Sequence, residues 1–368
     1  MLNVDCSLTN VHCSLFIVVM FADVHSSFRE SPILALAPMQ DVTDLAFMRV
    51  MAHYGGGPDY FVTEYFRVHP DSSPEKKILR SITHNETGRP IYAQMIGMDI
   101  GSLVRTSEIL LDYPIAGMDI NLGCPAPVVC RKQAGGGLLR NLQHVDKILG
   151  AMREVCSDRR KEFTVKTRIG YDDPAEFEAI LEIFAKHEID ALAIHGRTVK
   201  DKYQTPVRDR CVKMAVERMG CPVIANGNVV NVATGRAYHA KTGAAGLMIG
   251  RGAIRSPWIF QQIRESYAGE QVMVPTRRDL HHYIELLFRE LAGEWAMYDE
   301  VKHVNKMKKY MIYIAQGIDA EFEYEIRRVR SEEAFFAVCD SFLDNDEVLP
   351  DLPPEKSKLF CGFKELLE

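Results

Sequence analysis

Eight short apolar runs, strung between residues 33 and 250 with amphipathic stretches between most of them, constrain this 368-residue chain more than any other feature. They cover residues 33–37, 60–63, 91–95, 117–122, 164–168, 191–195, 222–226 and 246–250. Residues 145–155, 175–187 and 232–241 instead carry apolar side chains at three- and four-residue spacing, the pattern of a helix with one buried face. Strand and helix alternating eight times predict an α/β fold of the (β/α)8 TIM-barrel type. The alternative is a doubly wound sheet. It usually has fewer strands and a Gly-x-Gly-x-x-Gly turn after the first, which residues 33–41 lack.

The strands stop near residue 264. Residues 277–298, 301–315, 322–328 and 332–343 read as helices, joined to the barrel by a turn-rich stretch at 268–275. The expected organisation is a loosely attached N-terminal extension over 1–30, a TIM-barrel catalytic domain over 31–267, a small C-terminal helical bundle domain over 276–345, and a tail over 346–368. Residues 344–354 are acidic and contain proline, so no regular structure is expected there. Residues 15–22 form an apolar run far too short to span a bilayer and lack the basic flank of a secretory signal. No membrane association is expected, and Met20 offers an alternative start. The nine cysteines include no Cys-x-x-Cys pair, and their odd number and spacing fit neither a disulfide framework nor a zinc site. A reducing, cytoplasmic setting without a metal site is the better fit. The formal net charge of −6 argues against a generally basic nucleic-acid binder but leaves room for a local basic groove.

Barrels of this type build their sites where strands end. The fourth run leads into Asp119-Ile-Asn-Leu-Gly-Cys-Pro125, where Gly123 and Pro125 break the alternation and put Cys124 on a sharp turn. Pro38 and Met39 end the first run; Pro38 fixes φ and leaves neighbouring backbone free to face a ring, although a plain strand-ending turn is the simpler account taken alone. Gln94 ends the third run. Its amide suits a flat heterocycle, but a buried Gln is more often structural. Lys166 sits inside a strand whose inward face is otherwise apolar, so it needs an anionic partner or a depressed pKa. A reduced flavin or a Schiff-base substrate would each explain it. His195 begins His-Gly-Arg-Thr198; a lone His there divides evenly between core packing and ligand contact, and Gly196 with Arg197 favours a site. Asn226-Gly227-Asn228 and Gly250-Arg251-Gly252 close the last two runs, where such barrels commonly form a phosphate cup from backbone N–H groups, with Arg251 adding charge-assisted bonds. Three glycines at 135–137 give a loop that can move, with Arg131 and Lys132 either meeting phosphates or simply solvated.

Together these residues resemble the tRNA-dihydrouridine synthase family. The matching pieces are Ala37-Pro-Met-Gln-Asp-Val-Thr-Asp44, Gln94-Met-Ile-Gly97, Asp119-Ile-Asn-Leu-Gly-Cys-Pro125, Arg131-Lys132 with Gly135-Gly-Gly-Leu-Leu139, Val165-Lys-Thr-Arg168, Ile194-His-Gly-Arg-Thr198, Asn226-Gly-Asn228 and Ile249-Gly-Arg-Gly252. The set occurs in family order along the barrel, and the helical tail is similar to the family's C-terminal domain. The resemblance implies an FMN-dependent, NADPH-driven reduction of uridine in tRNA to 5,6-dihydrouridine. By that analogy Pro38, Met39, Gln94, Lys166, His195, Asn226, Gly227, Asn228, Gly250 and Arg251 hold FMN. Asn228 stands where family members often carry an acidic residue.

The mechanism it implies has an extruded uridine receiving hydride at C6 from reduced FMN and a proton at C5 from Cys124 on the other face. A thiol with an ordinary pKa of about 8.5 is mostly protonated at neutral pH and suits that role. Lys166 would stabilise negative charge on the flavin. Cys130, one loop away, is the competing thiol but lacks the Gly-Cys-Pro context. Phosphate contacts from tRNA are expected at Arg131, Lys132, Lys306, Lys308, Lys309, Arg327, Arg328 and Arg330, with solvation of the helices as the plain alternative for each. No obligate protein partner is evident. A rival enzyme class is an FMN barrel acting on a small molecule, in the manner of a dihydroorotate dehydrogenase or an ene-reductase. A non-enzyme rival is an RNA-binding or scaffold protein on a degenerate barrel.

Overall fold

Alternation of side chains along the strands decides which faces this sheet buries. In a computed structural model, which describes Phe21 and residues 31–294, 297–355, 357, 360–362 and 364–367, nine strands form one all-parallel sheet. They are β1 (Ile33–Leu36), β2 (Phe61–Val62), β3 (Phe66–Arg67), β4 (Ile91–Ile96), β5 (Gly117–Leu122), β6 (Glu162–Arg168), β7 (Ala191–His195), β8 (Val223–Asn226) and β9 (Gly246–Ile249). The order runs β1-β9-β8-β7-β6-β5-β4-β2, and a parallel bridge between Ala35 and Tyr60 closes the cylinder. Asp59 reinforces that seam. Its carboxylate accepts from the Leu34 N–H at 2.7 Å, and its own N–H donates to the Leu34 carbonyl at 2.7 Å.

Each of the eight predicted runs holds one strand, so the expected (β/α)8 barrel is the barrel found. The addition is β3. It pairs with Met95 and Ile96 of β4, while β2 pairs with Ile91 and Tyr92, so the two are pieces of one interrupted stave. A Phe-Arg pair is too short to carry any periodicity. The predicted helices at 145–155, 175–187 and 232–241 fall on Leu142–Asp158, Phe177–Phe184 with the short 3-10 turn Pro174–Glu176 before it, and Val232–Thr242. Val232–Thr242 starts at an Asn231 capping box and stops at Gly243, whose φ of +66° completes a left-handed C-terminal cap.

Leu34, Leu36, Ile120, Val165 and Ile194 point outward against the helices, and Ile33, Ala35, Val62, Ala193 and Met248 fill the inside. The floor is aromatic. Phe21 is 2% exposed, packs edge-on to Tyr60 at 5.4 Å between ring centres, and lies 5.7 Å from Tyr92. Its N–H donates to the Glu162 carboxylate at 2.8 Å. The rest of the expected 1–30 extension lies outside the described residues; at Phe21 the chain is anchored.

Past the barrel stand Arg277–Gly293, Glu300–Ile314, Ala320–Ile326 and Glu332–Leu343. These helices are bound to the rim around β1 and β9. Tyr310 stacks on Phe47 at 5.5 Å and donates to the Val42 carbonyl at 2.8 Å, and Tyr283 donates to the Ile254 carbonyl at 2.9 Å. An antiparallel bridge between Thr276 and Val348 then turns the tail back toward the barrel. Among the described residues no helix is long and apolar enough to cross a membrane.

Candidate active site

The turn after β5 is held from both sides. Asn121 accepts from the N–H groups of Gly123 and Cys124 at 3.1 and 2.9 Å, a side-chain mimic of a backbone turn. Arg168, 3% exposed, donates from Nε to the Gly123 carbonyl at 2.9 Å and from Nη1 to the carbonyls of Thr198 and Lys202, both at 2.8 Å. Asn121 is itself anchored, donating to Gln94 at 2.9 Å; Gln94 donates to Asp119 at 2.7 Å, and Thr164 donates to Asp119 at 2.6 Å. The Cys124 thiol therefore stands half-buried on a rigid rim, lining the same cavity as Tyr65. Burial and the thiol together push Tyr65 up to about 12. Cys130 is buried behind the turn, its sulfur directed at the Cys124 carbonyl at 3.5 Å, and burial pushes its thiol up. Cys130 does not line the mouth.

The glycines at 135–137 do not form the movable loop expected of them. They lie in a buried 3-10 helix, Gly135–Arg140. A Cβ at Gly136 would sit 2.6 Å from Val199, and one at Gly137 would sit 2.8 Å from the Cys130 carbonyl. Close backbone packing under Cys124, rather than mobility, requires them.

A cavity of about 580 Å³ opens beside Cys124 at the C-terminal ends of the strands. Its wall is cationic. Lys166 donates to Asn226 at 3.0 Å, and burial, with Arg168 nearby, pulls its ammonium down to about 8 against the opposing pull of Asp119. Burial pushes the Asp119 carboxyl up to about 6, opposed by its hydrogen bonds from Thr164 and Gln94. Burial first, then Arg168, Arg197, Lys166 and Arg251, hold His195 neutral, well below its usual value. His195 Nδ1 has no hydrogen-bond partner among the described residues. Arg251 makes no ion pair with a described residue; its guanidinium lies between the rings of Tyr203 at 4.5 Å and Phe360 at 5.4 Å. Buried cations without counter-ions and an orphaned imidazole N–H position fit a flat, anionic ligand. The glycines of the last two turns are required by close packing inside the protein. Gly227 packs on Tyr238, and a Cβ at Gly252 would lie 2.2 Å from the Val229 carbonyl.

Pro38, Met39, Lys166, His195, Asn226, Gly227, Gly250 and Arg251 all line this cavity with Cys124. Two expected cofactor residues do not. Both ends of the Gln94 amide are engaged by Asp119 and Asn121, so it braces the Cys124 turn instead. The Asn228 side chain accepts from Arg197 at 3.3 Å and donates to the Cys361 carbonyl of the tail. Of the expected phosphate contacts, Arg131 and Lys132 are exposed beside the Cys124 loop, Lys309 is exposed on its helix, Arg330 is exposed in the loop before Glu332–Leu343, and Lys308 is half-buried. Lys306 does not fit that role: its ammonium pairs with Asp44 at 3.0 Å and donates to the Asp41 carbonyl, tying helix to barrel. Arg327 pairs with Glu323 at 2.9 Å, and Arg328 lies over the Tyr324 ring at 3.5 Å.

Sequence reasoning gave no role to Asn121, Arg168 or Tyr203, and none to the tail. One signal was legible: Lys166 and Arg168 stand two apart on one strand and so share its inward face. The tail carried no such signal. Phe360 packs on Val230, and the Cys361 carbonyl accepts from Arg197 Nη2 at 2.8 Å, contacts that span more than a hundred residues of chain.

Fold and site define a class: a closed parallel α/β barrel with a thiol and a cationic wall on its C-terminal rim. Within that class the chain belongs to the dihydrouridine synthase family, whose model, Dihydrouridine synthase (Dus), matches residues 35–346. It is 34% identical over 284 residues to the tRNA-dihydrouridine synthase B of Pseudomonas putida, covering 76% of this chain and 81% of the relative. It is 28% identical over 330 residues to the protein of that name from Xanthomonas axonopodis pv. citri, covering 89% and 97%. Among solved structures, histamine dehydrogenase from Rhizobium sp. 4-9 superposes with a TM-score of 0.53 at 13% identity, over 89% of this chain and 65% of that one, a likeness of fold alone.

Proposed function

We propose that this protein reduces uridine in tRNA to 5,6-dihydrouridine, with FMN held at the barrel mouth and NADPH as reductant. One observation carries the reading: the Cys124 thiol shares a single cavity with Lys166, His195 and an Arg251 that has no carboxylate partner among the described residues. Pro38, Met39, Lys166, His195, Asn226, Gly227, Gly250 and Arg251 are the residues that would hold FMN, with Arg251 and the glycine turns at its phosphate. FMN, when bound, supplies the hydride for C6 of the base.

The protein's own groups do the rest. Cys124, fixed by Asn121 and Arg168, delivers a proton to C5 as a general acid. Lys166, with its ammonium near 8, is mostly protonated at neutral pH and stabilises negative charge in the cavity. Neutral His195 offers an N–H from Nδ1, since its Nε2 faces the Arg197 guanidinium, which can only donate. The uridine must leave its stack to reach this rim. The exposed cations Arg131, Lys132, Lys309 and Arg330 serve the RNA backbone, and a cytoplasmic location goes with that substrate.

The test is Cys124→Ala. Flavin content should match wild type, and dihydrouridine formation on bulk tRNA should fall by about 10²–10⁴-fold, the usual contribution of a positioned acid. Wild-type turnover in that variant would remove Cys124 from the chemistry. Reduced protein that is reoxidised by enones or orotate but not by tRNA would instead establish a small-molecule reductase.

A further inference from the structure

A second cavity, of about 750 Å³, adjoins the first on the Cys124 side. The two share Tyr65, which stands between them with the Arg67 guanidinium 5.5 Å from its ring centre. The second cavity opens where β4 ends, between the 65–70 stretch after β2 and the short helix Pro127–Arg131. Its floor is apolar, built from Val68, Ile96, Val129 and Ala134, and two of its apolar side chains face solvent: Met98 is 39% exposed and Val128 56%. A third cavity, of about 620 Å³, continues from it through shared Met98 and His144 to Arg131 and Arg140.

Apart from the shared Tyr65, neither cavity contains a residue of the Cys124 turn or of the cationic wall. Each lies in the size range of a small-ligand site. The cations stand at the rims: Arg67 and Lys132 on the second cavity, Arg131 and Arg140 on the third. The carboxylate in the second, Asp99, is exposed and caps the helix Ile100–Leu110, accepting from the Ser102 N–H at 2.9 Å and from its hydroxyl. In the second cavity an apolar floor under a cationic rim matches the two halves of a nucleotide, a base that buries its face and a phosphate that stays at the edge, and the polar third cavity with Arg131 and Arg140 continues the phosphate track. Cavities in series suit a strand better than a single dinucleotide, which would fill one.

We propose that this groove, running from Tyr65 past Met98 and Val128 to Arg131, seats the nucleotides of the tRNA strand that flank the reacting uridine. The inference deepens the proposed reaction and rests on tRNA being the substrate. Tyr65 and Arg67 form the partition between the reacting base and its neighbour, and Val128 and Met98 are the apolar faces on which that neighbour lies.

The experiment uses full-length protein with its flavin and bulk tRNA as probe. Val128→Glu and Met98→Glu place a carboxylate on exposed positions of the groove, outside the cavity of Cys124. Filter binding should show the Kd for tRNA raised at least tenfold in each, while flavin content and the rate of flavin bleaching by NADPH stay within twofold of wild type. In the wild type, ultraviolet cross-linking should put tRNA adducts on peptides covering residues 65–70, 96–101 or 128–134. Unchanged tRNA affinity in both variants, with no adduct on those peptides, overturns the proposal. So does slowed bleaching with unchanged tRNA affinity, which would give the cavity to the nicotinamide dinucleotide. Binding and cross-linking do not depend on turnover. Wild-type protein that cross-links as expected but makes no dihydrouridine therefore refutes the reaction and leaves the groove standing.

Discussion

Replacing Lys166 with Met should change how stability depends on pH, in one direction only. Burial, together with Arg168, pulls the Lys166 ammonium from 10.5 down to about 8, with Asp119 opposing. A lysine whose folded value lies below its unfolded value contributes stability that is present above the unfolded value and is lost as pH falls through the folded one. The window therefore runs from about 10.5 down to about 8, and the gap corresponds to roughly 3 kcal/mol. Urea unfolding of protein stripped of bound flavin, at pH 7.5 and pH 10.5, measures it. Other lysines and tyrosines titrate over the same range, but they cancel in the difference between the two proteins. Wild type should gain about 3 kcal/mol more than Lys166→Met on going to the higher pH. An anion seated in the cavity favours the ammonium, so the extra gain should shrink when FMN is added. Equal gains in the two proteins would mean that the ammonium is not desolvated, and the argument for an anion partner at this strand would lose its base.

Asp119 should behave in the opposite sense. Its carboxyl is pushed from 3.8 up to about 6, so its contribution is lost as pH rises through 6, and Asp119→Asn should steepen the loss of stability on acidification below pH 6, read by urea unfolding. Gly252→Ala puts a methyl 2.2 Å from the Val229 carbonyl, and forced backbone movement there should cost about 1–3 kcal/mol, visible as a lower Tm with reduced flavin content. An unchanged Tm would show that the last turn yields easily. Lys306→Met removes the tie between Asp44 and the helices and should lower stability while leaving the salt dependence of tRNA binding unchanged. Arg330→Glu, at an exposed cation, should weaken tRNA binding and reduce the slope of log Kd against log salt by about 1. A reversed pattern would return Lys306 to the RNA surface.

The barrel itself was legible because its signals are local. A period of two in each run and of three to four between runs report burial of one face at a time, and both survive without knowledge of what lies opposite. Cys124 was legible for the same reason: Gly123 and Pro125 break the strand on either side of it. Lys166 stood out because a charge on an inward face is rare enough to need an explanation. The C-terminal helices, too, carried their own periodicity, although the first ends at Gly293, short of residue 298.

What only the tertiary structure decided is which partner each polar group found. Gln94, Asn228 and Lys306 have the right chemistry for a flavin or a phosphate, and each spends it elsewhere, on Asp119 and Asn121, on Arg197 and the tail, and on Asp44. Hydrogen bonds and ion pairs act over about 3 Å, so their outcome depends on contacts between residues far apart in sequence. The same holds for the ring of Phe360 over Arg251 and for the cavities beyond Tyr65, which exist only because separate strand ends meet on one rim. Sequence by itself determined the cylinder and the thiol on its edge; the closing of the cylinder determined what that thiol faces.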